Sequence, residues 1–68
     1  MNTIDARGMS CPQPVLMTKN ALKNNLDTIE ILVDNETAKG NVGRYLSHEG
    51  FAVDFQNQDE DTLIRGRK

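Results

Sequence analysis

Apolar and polar residues change rhythm five times along this chain, and each rhythm predicts one element. Thr3-Ile4-Asp5-Ala6 alternates at period two, which predicts a short first strand closed by Arg7-Gly8. From Pro12 onward, Val15, Leu22 and Leu26 share one narrow sector at ~100° per residue, with Leu16 and Thr18 flanking. That pattern predicts an amphipathic helix over residues 12–24, with Met17 on its outer side. Thr28-Ile-Glu-Ile-Leu-Val33 is β-branched and apolar, the composition of a central strand. Asn35 is placed to cap a second helix, with Glu36 in its first turn. Ala38, Val42, Tyr45, Leu46 and Glu49 trace the predicted inner face of that helix, and Gly40 and Gly43 its outer face. Gly50 stops it. Phe51, Val53 and Phe55 then alternate with Ala52 and Asp54, residues 56–61 turn the chain, and Thr62-Leu-Ile-Arg-Gly-Arg-Lys68 returns as a last strand.

The order is βαβαββ. Two strands joined through a helix run parallel with a right-handed crossover. The expected architecture is therefore a two-layer α/β sandwich, a four-stranded mixed sheet with both helices on one face, forming one domain over residues 1–68. In such a sheet the loops that follow the first and second strands emerge together. The residues after Gly8 and the pair Asp34-Asn35 should therefore share one end of the molecule.

Composition narrows what such a domain can do. With 68 residues and 37% hydrophobic content it can bury one thin core layer, but no large substrate cavity. Its work must be done at the surface. The net charge of -2, with both signs interspersed, leaves no broad basic face for nucleic acid. One cysteine excludes an internal disulfide and a cysteine-built zinc site, and His48 is the only histidine, so neither a metal nor a cofactor is expected. His48, in the last turn of the second helix, complements the helix dipole. The N-terminus has no signal-peptide pattern and no apolar run approaches a membrane span. The expectation is a monomeric cytoplasmic protein whose thiol is reduced at rest.

That thiol is the chain's most pointed feature. Cys11 follows the turn-forming run Gly8-Met9-Ser10, off any apolar stripe, and Pro12 and Pro14 bracket Gln13 just beyond it. Proline suits a helix's first turn, where amides have no intrahelical partner. Either Cys11 is the N-cap, or Ser10 caps and pairs with Gln13 at capping-box spacing. In both registers the sulfur projects from a helix N-terminus, whose partial positive charge favours a thiolate. The two prolines delete two amide donors from that turn, so the thiol should be only slightly more acidic than a free one at about 8.5. Rigidity and exposure are what the prolines contribute. Such a thiol suits sulfur exchange with a partner.

Asp5-Ala6-Arg7-Gly8 followed by Cys11-Pro12-Gln13-Pro14 and an apolar-basic helix resembles the TusA/SirA-like sulfur-carrier family, with its CPxP motif after a D-x-x-G turn. The resemblance covers essentially the whole chain. It implies that Cys11 receives a persulfide from a donor such as a cysteine desulfurase and passes it to an acceptor protein. It implies the same βαβαββ sandwich. The tRNA-thiolation members carry a proline where Glu36 stands and an Asp-Ile pair where Asn41-Val42 stands. The chain is thus closer to the YedF-like branch, which is linked to selenium metabolism. A reading from another class remains, a non-catalytic interaction or regulatory module whose cysteine never loads.

Other residues carry paired readings. Lys19, two turns below Cys11 on the same side, is a docking cation or a lysine at the core's edge. Met17 and Met9 could rim a partner site. Arg7 could add positive potential near the thiol or end the strand in solvent. Asp5 and Asp34 are expected to organise loops.

Overall fold

The protein was analysed as a computed structural model, which describes residues 3–9, 13–24 and 27–68. The elements are β1 (Thr3–Asp5), α1 (Gln13–Leu22), β2 (Thr28–Val33), α2 (Glu36–His48), β3 (Ala52–Gln58) and β4 (Asp61–Arg67). They form one four-stranded sheet in the order β1-β2-β4-β3. β1 is parallel to β2, with Ile4 beside Ile31, and β4 is antiparallel to both β2 and β3. The expected order, mixed sheet and two helices are all present. The hairpin is tighter than expected. β3 runs on to Gln58, and Asp59-Glu60 alone make the turn, with Asp59 in the left-handed region at φ 59°.

Register explains the core. Ile4, Ile31, Ile64 and Phe55 form one row across the sheet, and Ile29, Gly66 and Val53 the next. Ile29, Ile31, Val33 and Ile64 of these strands are buried, and with Ala6, Ala38, Val42, Leu46 and Phe51 they make the core cluster. Gly66 is the point of closest approach. A Cβ there would sit 3.3 Å from Ile29, Leu46 and Phe51 side chains, so glycine lets α2 settle onto the sheet. The opposite sheet face pairs Leu32 with Leu63 and is otherwise mainly polar: Arg65 on β4 donates to Glu30 on β2 at 3.1 Å and to Gln56 on β3 at 3.2 Å.

α2 is built as its sequence predicts at both ends. Asn35 is extended and its Oδ1 accepts from the Ala38 N–H at 2.7 Å. At the other end Gly50, with φ 92°, donates to Ser47, and Phe51 donates back to Leu46 at 3.0 Å. This is a Schellman closure, and it turns Phe51 under the helix it terminates.

Two inner faces differ from the expectation. Gly43, expected outward on α2, is buried because the Phe55 ring of β3 lies across it; a Cβ would come within 2.8 Å of that ring. On α1 the buried side chains are Pro14 and Thr18, with Val15, Met17, Ala21 and Leu22 packed against the core, while Leu16 is 44% exposed. The helix is thus rotated so that Met17 turns inward. Thr18 tolerates full burial because its hydroxyl donates to the Pro14 carbonyl at 2.9 Å. Leu26, expected on the same stripe, lies outside the described residues.

Candidate functional site

The loop after β1 is tied down by side chains from three separate stretches of chain. β1 ends as Ala6, fully buried, donates its N–H to the Leu32 carbonyl at 2.9 Å. Gly8 then takes φ 76°, which an L side chain adopts only at a cost of roughly 1–2 kcal/mol. Its N–H donates to Asp34 Oδ2 at 2.8 Å, at the C-terminal end of β2. The other oxygen of Asp34 accepts from Asn35 Nδ2 at 3.1 Å, and Asn35 in turn caps α2. The turn at Gly8 and the α2 N-terminus are therefore joined through one carboxylate. Asp34 organises the loop, as expected.

Arg7 supplies the second tie. Its Nε and Nη2 grip Asp5 at 3.0 and 2.9 Å, and Nη1 reaches Asp61 Oδ2 at 3.3 Å on β4. The Arg7 side-chain and backbone hydrogen bonds hold the Asp5 carboxyl well below the usual range, at about 2. The Arg7 guanidinium is pushed up in return, chiefly by the hydrogen bonds it donates to Asp5. Both groups are solvent-exposed, so water screens much of this attraction. The Arg7 charge is paired with two carboxylates of its own chain.

Asp5, Arg7, Gly8, Met9, Asp34 and Asp61 line a shallow, open depression at this end of the sheet. Three carboxylates against one guanidinium make it acidic. Met9, 39% exposed, stands at its rim. Ser10, Cys11 and Pro12 follow in the chain and lie outside the described residues, so the two cap registers for the sulfur concern residues beyond this description. The chain re-enters at Gln13, which is exposed at the start of α1, and at Pro14, which is fully buried. Pro14 thus pins the first turn of α1 to the interior.

The outer face of α1 carries Leu16, Lys19 and Asn20, and Lys23 follows just past its end, all exposed. Neither lysine has an ion pair among the described residues, and no acidic residue falls in α1. Lys19 is thus a solvent-facing cation. Met17 does not share this face, so Leu16 and Met9 are the exposed apolar groups flanking the cysteine segment. Among the described residues no group of histidine, cysteine and carboxylate side chains could hold a metal, and no helix is long and apolar enough to cross a membrane.

The family model of the sulfurtransferase TusA matches residues 2–68. The chain belongs to the TusA family. Among relatives of this family, the chain is 34% identical over 62 residues to the protein named "Putative sulfur carrier protein MJ0990" of Methanocaldococcus jannaschii, a match spanning 88% of this chain and 83% of that one. The crystal structure of a SirA-like protein of Desulfitobacterium hafniense superimposes with a TM-score of 0.90 at 28% identity, covering 98% of this chain and 96% of that one. Membership of the TusA family sets the chain among sulfur-transfer proteins and accounts for its βαβαββ sandwich.

Asp61 was not singled out from the sequence. The signal available was the acidic run Asp59–Asp61, but nothing local connects it to Arg7, 54 positions away.

Proposed function

We propose that this protein is a sulfur carrier whose Cys11 holds a persulfide and relays it between partner proteins in the cytoplasm. The family match over residues 2–68 is the observation that carries the reading, because Cys11 is the only sulfur nucleophile the chain offers. The Cys11 thiolate attacks the terminal sulfur of a donor persulfide, such as that of a cysteine desulfurase. A new S–S bond forms at Cys11, the donor's S–S bond breaks, and the donor leaves as a thiolate. The reverse geometry passes the sulfur on to an acceptor nucleophile. No net oxidation occurs at either step. With no second cysteine in the chain, the loaded sulfur leaves only to an external acceptor.

Pro12, Gln13 and Pro14 present the thiol, and Gly8 with Asp34 anchors the loop that leads to it. Lys19, exposed on α1, steers an acidic partner surface, with Leu16 and Met9 as apolar contacts. Glu36 and Asn41-Val42 stand where tRNA-thiolation members carry a proline and an Asp-Ile pair. They support a role like that of the YedF-like branch, in which the sulfur, or selenium handled by the same thiol, serves sulfur or selenium metabolism rather than tRNA thiolation.

The test is intact mass after incubation with a cysteine desulfurase and cysteine. A reductant-sensitive gain of one sulfur atom, mapped to Cys11, is expected. No gain with several donors would favour the non-catalytic interaction module.

A further inference from the structure

We infer that Asp61 is a positioning residue for sulfur loading: through Arg7 it holds the loop leading to Cys11 against the β3–β4 hairpin, keeping that loop in the arrangement a protein donor recognises. The inference rests on the carrier reading of Cys11 but draws on a different part of the chain. Arg7 uses two nitrogens on Asp5, its neighbour by two residues, and spends the third on Asp61, across the sheet at 3.3 Å. The Asp5 contacts close a local turn that travels with the loop. Of the Arg7 contacts, only that to Asp61 fixes the turn to the β3–β4 hairpin, where Asp61 pairs with Gln58. Asp34 makes the other tie, at the Gly8 N–H. Two ties to two different strands define the loop's angle, where one would leave a hinge.

Such a tether acts on the free protein. When a loop samples its binding-competent arrangement for only a fraction of the time, apparent affinity falls by that fraction, while the bound complex is unchanged. Losing Asp61 should therefore raise the KM for a protein donor and leave kcat alone. An exposed ion pair is worth about 1 kcal/mol at most, so the rise should be ~3–5-fold.

The decisive comparison uses Asp61→Asn and Asp61→Glu in the full chain, with a cysteine desulfurase as donor. Asp61→Asn should raise KM about threefold with kcat within twofold of wild type, and Asp61→Glu should restore KM. Alkylation of Cys11 by iodoacetamide should proceed at the wild-type rate in both, because a small reagent needs no docking geometry. Adding Arg7→Gln to Asp61→Asn should raise KM no further than Arg7→Gln alone. Amide exchange at Gly8 and Met9 should quicken several-fold in Asp61→Asn. An unchanged KM, a fall in kcat, or unchanged exchange at Gly8 would each overturn the inference. Should wild-type protein take sulfur from no donor, the carrier reading fails on that result, and the exchange measurement still decides whether the tether exists.

Discussion

The two helices lie side by side on the same sheet and are held there by opposite means. α2 packs against β3, β4 and α1, buries Ala38, Val42 and Leu46, and is closed at both ends by its own sequence. α1 buries no large aliphatic side chain completely; its two fully buried residues are Pro14 and Thr18, the second satisfied only by the first. α2 is therefore part of the core, whereas α1 is a strut clipped to it. The difference suits a carrier, because the element next to the cysteine segment can present Leu16 and Lys19 outward without weakening the fold. Stability and presentation are assigned to different helices.

The largest test of that division compares one leucine from each helix. Leu46→Ala should cost about 3 kcal/mol, as a fully buried leucine does, while Leu16→Ala should stay within about 0.5 kcal/mol. Denaturant unfolding measures both, and comparable losses would erase the contrast. Next in size is the α2 cap. Asn35→Ala should cost about 1 kcal/mol and Asn35→Asp far less, since an aspartate oxygen can still accept from Ala38.

The site's own electrostatics should register more weakly, and only in acid. Asp5 titrates at about 2 in the folded protein, below its ordinary 3.8, so its ionised form stabilises the fold above the unfolded value. That contribution is lost as pH falls from about 4 toward 2. Thermal melts should show the gap between wild type and Asp5→Asn closing across that window; a gap constant with pH would mean that the Arg7 pairing contributes nothing. Smallest for stability is Lys19→Glu, which should leave the melting temperature unchanged. It should nonetheless slow loading from a protein donor several-fold at low salt, with the difference fading as salt rises. Loading unaffected at low salt would move the docking surface off α1.

What was legible in the sequence follows the same division. β2 was readable to its end residues because Thr28–Val33 is a continuous β-branched and apolar run. Asn35 and Gly50 were readable because caps are local chemistry, decided within four residues. The inner face of α1 was legible in part. Val15 and Leu22 pack on the core and Thr18 beside them is buried, as the wheel placed them. Met17 turns inward and Leu16 outward, however, because the helix is rotated to bury Pro14 and Thr18, whose hydroxyl is satisfied by a main-chain oxygen one turn back. Gly43 was misjudged for a related reason: only the sheet register brings Phe55 across it. The site was half legible. The turn at Gly8 and the organising role of Asp34 were expected, since the topology brings the two loops to one edge. The Arg7–Asp61 contact joins residues 54 apart through the β2–β4 pairing, and no local pattern encodes it.

The central claim is that Cys11 holds transferable sulfur, and cyanolysis tests it most directly. Protein loaded by a cysteine desulfurase is separated from the donor and treated with cyanide, which takes the outer sulfur as thiocyanate and returns the Cys11 thiolate. Wild type should release close to one thiocyanate per chain and Cys11→Ser none, with both proteins equally folded because serine is well tolerated at a helix start. Thiocyanate released equally by the two, or by neither after exposure to active donors, would contradict the account.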